Sequence, residues 1–239
     1  MHKKEINLAL IAARQGSKGV KNKNLLSIKN KSITRIAVEI AVKLKNIDNV
    51  ILSSDSQRIL NTVPNNKKLT KLKRKKNLAK DSTPMIPVMQ DAIIKFEKIY
   101  KFKYLVKYLL IIDPTSPLRN SSDIKKAIIL FKKKKPDLLV SAHEAQHNPY
   151  FSILEKKGKF FKLCKSNKNE LGSRQSAPTT FEINTIIWIY SRRAIMKLAK
   201  RIPRKTIIFK TAKERSIDID NKNDINLINF YIKKNVKKI

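Results

Sequence analysis

The amino-acid sequence predicts an α/β fold with a mainly parallel sheet. Short apolar runs alternate along the chain with longer stretches in which apolar residues recur three and four positions apart. This alternation is typical of parallel strands joined by right-handed helical crossovers. The 239 residues can bury a core, and we expect a single domain over residues 1–239.

The first predicted strand covers residues 6–13. Asn7 interrupts this apolar run and Arg14 stops it, so a buried strand explains it better than the core of a signal peptide. Residues 14–32 carry two of the four glycines and no apolar period, which predicts a long functional loop. A helical apolar stripe follows at 33–44.

The later elements are assigned in the same way, with no pattern assignable to the basic segment 67–80. Pro114 and Pro117 forbid regular structure in the loop 113–119. The other predicted strands lie at 50–52, 104–112, 137–142, 181–190 and 216–220. The other predicted helices lie at 56–63, at 85–100, from a cap at Ser122 and Asp123 to about Lys134, and from Asp224 to about Val236. Between Glu144 and Phe181 the alternation fails, which indicates an insertion at about 144–181.

The net charge of +36, from 54 Lys and Arg against 18 Asp and Glu, first suggests a nucleic-acid partner. However, the lysines are spread over the whole chain with many Asn and Ile residues, which all have A/T-rich codons, and no zinc-finger or aromatic RNA-binding signature is present. The charge therefore favours a solvated lysine surface over nucleic-acid binding. A positive field that gathers anionic small substrates is a further alternative.

Cysteine content and hydropathy narrow the class of protein. Cys164 is the one cysteine, which excludes an internal disulfide framework and a cysteine-cluster zinc site. No apolar run approaches the roughly 18 to 20 residues of a transmembrane helix. We expect a soluble, cytoplasmic protein with no membrane partner.

Three polar segments directly follow predicted strands, at 14–19, 53–55 and 113–119. Parallel sheets bind ligands at the carboxyl ends of their strands, so we expect these segments to line one rim. In the first, glycines and cations suit a triphosphate, although the spacing matches neither the P-loop nor the dinucleotide fingerprint. An ordinary basic turn is the alternative.

The other two constellations are an acidic pair and a rigid polar loop. Asp218 and Asp220 alternate with isoleucines, so a strand would point both carboxylates to one face, about 6.5 to 7 Å apart at the Cα atoms. Such a pair suits Mg²⁺ or another hard divalent cation; two solvated aspartates are the alternative. The loop 113–119 can hold polar side chains where a sugar would sit, or can be a structural turn. His143 and His147 are interpreted as surface or packing residues, and Trp188 and Tyr190 as strand packing.

Together these segments resemble the acylneuraminate cytidylyltransferase family, which activates sialic and related nonulosonic acids. The matching motifs occur in the family's order over nearly the whole chain, at 13–24, 53–55, 78–81, 114–119, 174–175, 184 and 216–220. The resemblance implies a Rossmann-like nucleotidyltransferase fold, a homodimer and a dimerisation role for the insertion at about 144–181. It implies transfer of CMP from CTP to the anomeric hydroxyl of the sugar acid, with release of pyrophosphate.

The resemblance also assigns residues to roles. It implies catalytic roles for Arg14, Lys23, Asp218 and Asp220, of which the two aspartates would hold Mg²⁺. The residues expected at the nucleotide are Ala13, Arg14, Ser17, Lys23, Asn24, Arg74 and Asp81. Those expected at the sugar are Asp113, Thr115, Ser116, Arg119, Arg174, Gln175 and Asn184.

Three positions depart from the pattern of the sialic acid enzymes, namely Asp113 in place of Gln, Glu182 in place of a basic residue, and Thr185 in place of Gly. The first of these, with the segments 148–151 and 174–178, is similar to the legionaminic acid branch. Thr185 is expected to crowd the site. The alternative functions are a basic nucleic-acid-binding protein and a CTP-binding relative that acts on another keto sugar acid.

Overall fold

In the computed structural model, the described residues are 3–16, 19–166 and 172–234. They contain eleven strands: β1 (Lys4–Ala12), β2 (Ser27–Ile28), β3 (Lys31–Ser32), β4 (Asn49–Ser54), β5 (Leu69–Lys73), β6 (Tyr104–Ile111), β7 (Leu138–Glu144), β8 (Leu154–Lys157), β9 (Phe160–Leu163), β10 (Phe181–Ser191) and β11 (Thr206–Lys210). The α-helices are α1 (Ile33–Val42), α2 (Gln57–Asn61), α3 (Met85–Ile99), α4 (Ser121–Lys134) and α5 (Lys222–Lys234).

Seven strands form the central sheet in the order β11-β7-β10-β6-β1-β4-β5. β10 runs antiparallel to both neighbours, and the other strand pairs are parallel. The predicted mainly parallel α/β fold is therefore confirmed. The other four strands form two small hairpins, β2–β3 in the loop after β1 and β8–β9 in the predicted insertion.

Helices cover both faces of the sheet because their apolar stripes are buried against it. Ala37 of α1 and Ile124 of α4 pack with Leu110 and other strand residues on one face. Met89 and Phe96 of α3 pack with Leu109 and neighbouring strand residues on the opposite face. The result is a three-layer arrangement of helices, sheet and helices.

The order of the strands places the predicted ligand-binding loops next to one another. From β1 the chain adds β4 and β5 on one side, and it returns to place β6 on the other side of β1. Such a reversal opens a crevice at the carboxyl ends of the strands. The loops after β1, β4 and β6 follow adjacent strands, so the expectation that 14–19, 53–55 and 113–119 line one rim is confirmed for the described residues.

Two details of the predicted elements are wrong, and two strands were not predicted. β5 falls in the unassigned segment 67–80, and β11 was not predicted. Residues 216–219 form no strand, since Ile219 N donates to Thr115 O of a loop (2.9 Å) rather than to a strand of the sheet. The cap of α4 is Asn120, whose side chain accepts a hydrogen bond from Ser122 N at 2.8 Å. The expected end of the last helix, at about Val236, lies outside the described residues.

Among the described residues, no helix is both long and apolar enough to cross a membrane.

Candidate active site at the carboxyl edge of the sheet

The loop after β1 is held against two neighbouring segments. Gln15 N donates to Asp55 Oδ1 at 3.0 Å, and Ala13 N donates to Ser53 O at 3.0 Å. Asn24 is 7% exposed, and its Nδ2 donates to Arg14 O at 2.8 Å. Ala13 and Asn24 therefore shape the loop from beneath. Ser17, predicted at the nucleotide, lies outside the described residues.

Two arginines at this rim differ in burial and in their partners. Arg14 forms an ion pair with Asp81, and both side chains are partly exposed. Arg74 follows β5 and is 5% exposed, yet its Nε and Nη2 have no hydrogen-bond partner among the described residues. Burial lowers the pKa of Arg74, opposed by the nearby Asp55 carboxylate and reinforced by the Arg14 cation. A buried guanidinium without acceptors is costly, so Arg74 suits a ligand that brings oxygen acceptors.

Lys23 and Gly19 bring the same loop against residues 216–220, called the acidic segment, which carry Asp218 and Asp220. Lys23 Nζ donates to Ile219 O at 2.8 Å and to Asp220 Oδ1 at 3.0 Å. A Cβ atom added at Gly19 would lie 2.1 Å from Asp220 O. Only glycine allows this close approach, which therefore requires the glycine of the loop motif.

Buried isoleucines and more exposed aspartates alternate along the acidic segment, although it is not a strand. Ile219 is 2% exposed and packs with Ile33 and Ile228. Asp218 is half-buried and Asp220 is exposed. The isoleucines thus anchor the segment by burial, and the two aspartates remain at the rim.

Asp218 lies among other polar groups of the rim. Ser116 Oγ donates to Asp218 Oδ1 at 3.4 Å. Burial raises the pKa of Asp218, the Asp113 carboxylate raises it further, and a hydrogen bond from Thr115 and the charge of Lys23 lower it. The positive charge and hydrogen bonds around Asp218 thus only partly offset the burial and the neighbouring carboxylate that disfavour its ionised form.

The donor set is compatible with a cation held partly by substrate. The described residues contain no group of three or more His, Cys, Asp or Glu side chains that could hold a metal ion. Two carboxylates can hold Mg²⁺ when waters and phosphate oxygens complete its shell. The acidic pair therefore fits a cation that arrives with a phosphate ligand.

The loop 113–119 is rigid because its polar groups bond to one another. Asp113 Oδ1 accepts hydrogen bonds from Thr115 N (3.2 Å) and Thr115 Oγ1 (2.9 Å). Arg119 donates from Nε to Ser116 O (2.9 Å) and from Nη2 to Asp113 O. Burial lowers the pKa of Arg119 to about 10, against the opposing effects of Asp113 and Asp218, so the guanidinium is charged near neutral pH. Thr115, Ser116 and Arg119 are buried, and their contact with a sugar stays a prediction.

β10 contributes two polar residues beneath the rim. The hydroxyl oxygens of Thr185 and Ser116 lie 2.5 Å apart and share a hydrogen bond. Asn184 is 6% exposed, and its Nδ2 donates to Thr211 Oγ1 (2.9 Å) and Ser216 Oγ (3.1 Å). Asn184 thereby joins β10 to the start of the acidic segment. Thr185 thus contacts the loop 113–119 through its hydroxyl, and the expected crowding of the site by Thr185 stays a prediction.

Arg174 and Gln175 lie apart from these contacts. They are exposed in a short 3₁₀ turn of the insertion, where Arg174 Nη2 donates to Gln146 O. Among the described residues, neither makes a hydrogen bond to the loops 14–24 or 113–119. Their predicted place at the sugar remains a prediction.

Asp55 was predicted at the rim as part of the segment 53–55, but it was given no role of its own. In the structure it orients the loop after β1 through Gln15 N and faces the Arg74 cation. Its position directly after an apolar strand is the signal that placed it at the rim.

Comparison with known proteins gives consistent matches over most of the chain. The family model for cytidylyltransferases matches residues 8–234. Post-translational flagellin modification protein B of Campylobacter coli is 32% identical over 226 residues, covering 95% of this chain and 94% of that protein. CMP-N,N'-diacetyllegionaminic acid synthase of Campylobacter jejuni is 33% identical over 225 residues, covering 94% of each chain.

More distant matches agree. N-acylneuraminate cytidylyltransferase of Streptococcus agalactiae is 25% identical over 220 residues, covering 91% of this chain and 51% of that protein, so this chain spans about half of its length. The fold is similar to a CMP:2-keto-3-deoxy-manno-octonic acid synthetase complexed with CTP, with a TM-score of 0.66, 12% identity and coverage of 97% of this chain and 99% of that chain.

Proposed function

The chain belongs to the cytidylyltransferase family, and from that premise we propose that it transfers CMP from CTP to the anomeric hydroxyl of a nine-carbon α-keto sugar acid. Pyrophosphate leaves, and a CMP-activated sugar is the product. The observation that carries the proposal is the contact between two rim segments of opposite charge. Lys23 of the loop after β1 bonds to Asp220 of the acidic segment, 3.0 Å away, next to the polar loop 113–119.

The nucleotide is assigned to the side of the rim formed by the loops after β1, β4 and β5. Arg14 and Lys23 would bind the phosphates, since charged hydrogen bonds to phosphate are strong. Arg74 would offer its buried, unpartnered Nε and Nη2 to acceptor oxygens of the nucleotide. Asn24 and Asp81 would act by orienting Arg14, through its carbonyl and its guanidinium respectively.

A divalent cation such as Mg²⁺ would be held by Asp218 and Asp220. When bound, it would supply positive charge to the phosphates and compensate the repulsion between Asp218 and Asp113. Lys23 would have to exchange its bond to Asp220 for bonds to phosphate oxygens.

Catalysis would consist mainly of positioning and charge stabilisation. The sugar hydroxyl releases its proton to solvent as its oxygen bonds to the α-phosphorus opposite the departing pyrophosphate. The P–O bond to the pyrophosphate breaks, and its electron pair leaves with the pyrophosphate. Arg14 and Lys23 would stabilise the negative charge that develops on the leaving group. The buried bonds of Arg119 to the loop 113–119 would keep Asp113 in place without reorganisation during the reaction.

For the sugar, we favour a legionaminic-type acid over N-acetylneuraminic acid. Asp113 supports this ranking, because a carboxylate accepts hydrogen bonds but cannot donate them as Gln does. The match to a CMP-N,N'-diacetyllegionaminic acid synthase, at 33% identity and 94% coverage of both chains, supports it as well. Comparison of kcat/KM for the two acids decides the ranking, and a clear preference for N-acetylneuraminic acid reverses it.

We also propose a homodimer formed through the insertion. The β8–β9 hairpin exposes large apolar side chains, with Phe160 79% and Phe161 63% exposed. Exposed apolar patches of this kind mark interaction surfaces, and a partner hairpin of the same chain would cover them. Arg174 and Gln175 of the same insertion could then approach a sugar in either subunit.

We further propose that the protein acts in the cytoplasm, because a chain with one cysteine and CTP as its substrate suits that compartment.

Pyrophosphate release tests the proposed reaction. The enzyme is supplied with CTP, Mg²⁺ and either N,N'-diacetyllegionaminic or N-acetylneuraminic acid, and release should depend on both the CTP and the sugar acid. CTP alone and UTP with the sugar acid serve as controls. No release with any nonulosonic acid, together with salt-sensitive binding of DNA or RNA, would favour a nucleic-acid-binding protein instead.

A further inference from the structure

A cavity of about 670 Å³ lies behind the loop 113–119, between α1, the start of α4 and α5. Leu118 and Arg119 of that loop form part of its wall. Its volume lies within the roughly 300 to 1,000 Å³ of sites that hold small organic molecules. None of the predicted nucleotide residues lines it, and of the residues predicted at the sugar Arg119 alone does so among the described residues.

The walls of this cavity combine apolar side chains with cations. Ile40, Leu44 and Leu118 give aliphatic surface, and Tyr231 of α5 adds an aromatic ring. Such walls favour the body of an organic ligand, because burial of its apolar surface is the main source of binding free energy.

The charged side chains that line the cavity favour an anionic ligand. Lys43, Lys125, Lys234 and Arg215 line the cavity, and Glu214 is the one acidic side chain on its walls among the described residues. None of the three lysines forms an ion pair within the described part of the chain. Arg215 pairs with Asp123 at 2.9 Å, so an anion entering the cavity would meet the three lysines as the cations that no described carboxylate already neutralises.

Arg119 connects the cavity to the rim. It lines the cavity and is 6% exposed, and its Nη1 is buried without a hydrogen-bond partner among the described residues. The other two nitrogens hold Ser116 O and Asp113 O. A ligand that draws on this guanidinium would act on the loop that carries Asp113.

We propose that the cavity between α1, α4 and α5 is a second ligand site, which takes a small organic anion with an apolar or aromatic body. The anionic group lies among Lys43, Lys125 and Lys234, and the body packs on Leu44, Leu118 and Tyr231. The site is distinct from the proposed nucleotide site and does not depend on the proposed reaction.

The probe for this site is 1-anilinonaphthalene-8-sulfonate, an aromatic anion whose fluorescence rises in apolar surroundings. We expect saturable binding to the wild-type protein that saturating CTP does not displace. The double variant Lys43→Glu/Lys125→Glu should bind the probe at least 10-fold more weakly. Both lysines are exposed, so the variant should keep its circular dichroism spectrum and melting temperature.

A matched variant and a steric variant complete the test. Lys98→Glu/Lys197→Glu makes the same charge change at exposed sites on the opposite face of the sheet and should bind the probe like the wild type. Ile40→Trp should weaken binding by filling the cavity, whether or not the charge variant folds. The proposal is overturned if both double variants lose probe binding equally, or if CTP displaces the probe. It is also overturned if the wild type shows no saturable binding, as when another part of the chain fills the cavity. Because no catalysis is measured, these outcomes are independent of the proposed reaction.

Discussion

Asp218 and Asp220 are carboxylates at the rim of a strongly basic protein. Their proposed role in catalysis can be tested apart from any role in folding stability, because kcat and the melting temperature should respond differently to their substitution. Asp218→Asn and Asp220→Asn should each lower kcat on the order of 10²-fold or more, because an amide lacks the charge that a hard cation requires. Burial raises the pKa of Asp218, so folding disfavours its charged form. Removal of that charge should therefore leave the melting temperature unchanged or slightly higher at neutral pH.

The control for the aspartate variants is Glu5→Gln, near the start of β1 at the opposite edge of the sheet from the rim, where the exposed carboxylate pairs with Lys107. It should retain wild-type kcat. Near-full activity of both rim variants, with the same Mg²⁺ dependence as the wild type, would show that the pair is only a solvated segment end.

Gly19 and Gly16 offer a matched test of the contact between the two rim segments. Gly19→Ala places a Cβ atom 2.1 Å from Asp220 O, so the loop after β1 or the acidic segment must move. Gly16→Ala meets no atom of the described residues within 4 Å. We expect Gly19→Ala to reduce kcat/KM for CTP on the order of 10-fold or more, and Gly16→Ala to change it little. Equal effects of both substitutions would refute the close approach as the reason for glycine at position 19.

Residue types at the rim could be predicted from sequence, but the directions of their side chains could not. The motifs identified the loops that contain Arg14, Lys23 and Asp218. That Arg119 points inward and bonds to carbonyls of its own loop depends on the path of the backbone between Asp113 and Arg119. That Nε and Nη2 of Arg74 lack a hydrogen-bond partner among the described residues likewise depends on tertiary packing, which residue spacing does not encode.

At the level of elements, the errors of prediction fall on strands with weak patterns. β5 and β11 are the two edges of the sheet, and an edge strand needs few buried side chains. β5 buries only Leu72 among its five residues, and β11 buries none fully. In the segment 216–220, by contrast, the alternation was real but arose from packing of Ile219 on a small apolar cluster. Alternation reports which side chains are buried, not which backbone groups are paired.

The β8–β9 hairpin is the element on which the proposed dimer depends. Phe160→Ser/Phe161→Ser should shift the protein from dimer to monomer, since both rings are largely exposed in the single chain. Sedimentation equilibrium over a range of concentrations measures the change. Phe102→Ser, at an exposed site after α3, is the control and should remain dimeric. A wild type that is monomeric at all concentrations, or a double variant that still dimerises, excludes this interface.

The molecule as a whole combines a widely distributed positive charge with a small, charge-balanced rim. The net charge of +36 is spread over the chain, whereas Arg14 and Lys23 pair with Asp81 and Asp220 at the rim. A field of this sign raises the local concentration of anions such as CTP and a sugar acid. The charge thus agrees with anionic substrates, while the choice among them rests on the rim.

The most direct test of the proposed function is the product balance of a single reaction. CTP, Mg²⁺ and N,N'-diacetyllegionaminic acid are incubated with the enzyme, and phosphorus nuclear magnetic resonance follows each species. The proposed function predicts that one pyrophosphate and one CMP-linked sugar phosphodiester appear for each CTP consumed, and that neither appears without the sugar acid. CTP consumption that yields CMP or CDP without a phosphodiester, or no consumption with any nonulosonic acid, would contradict it.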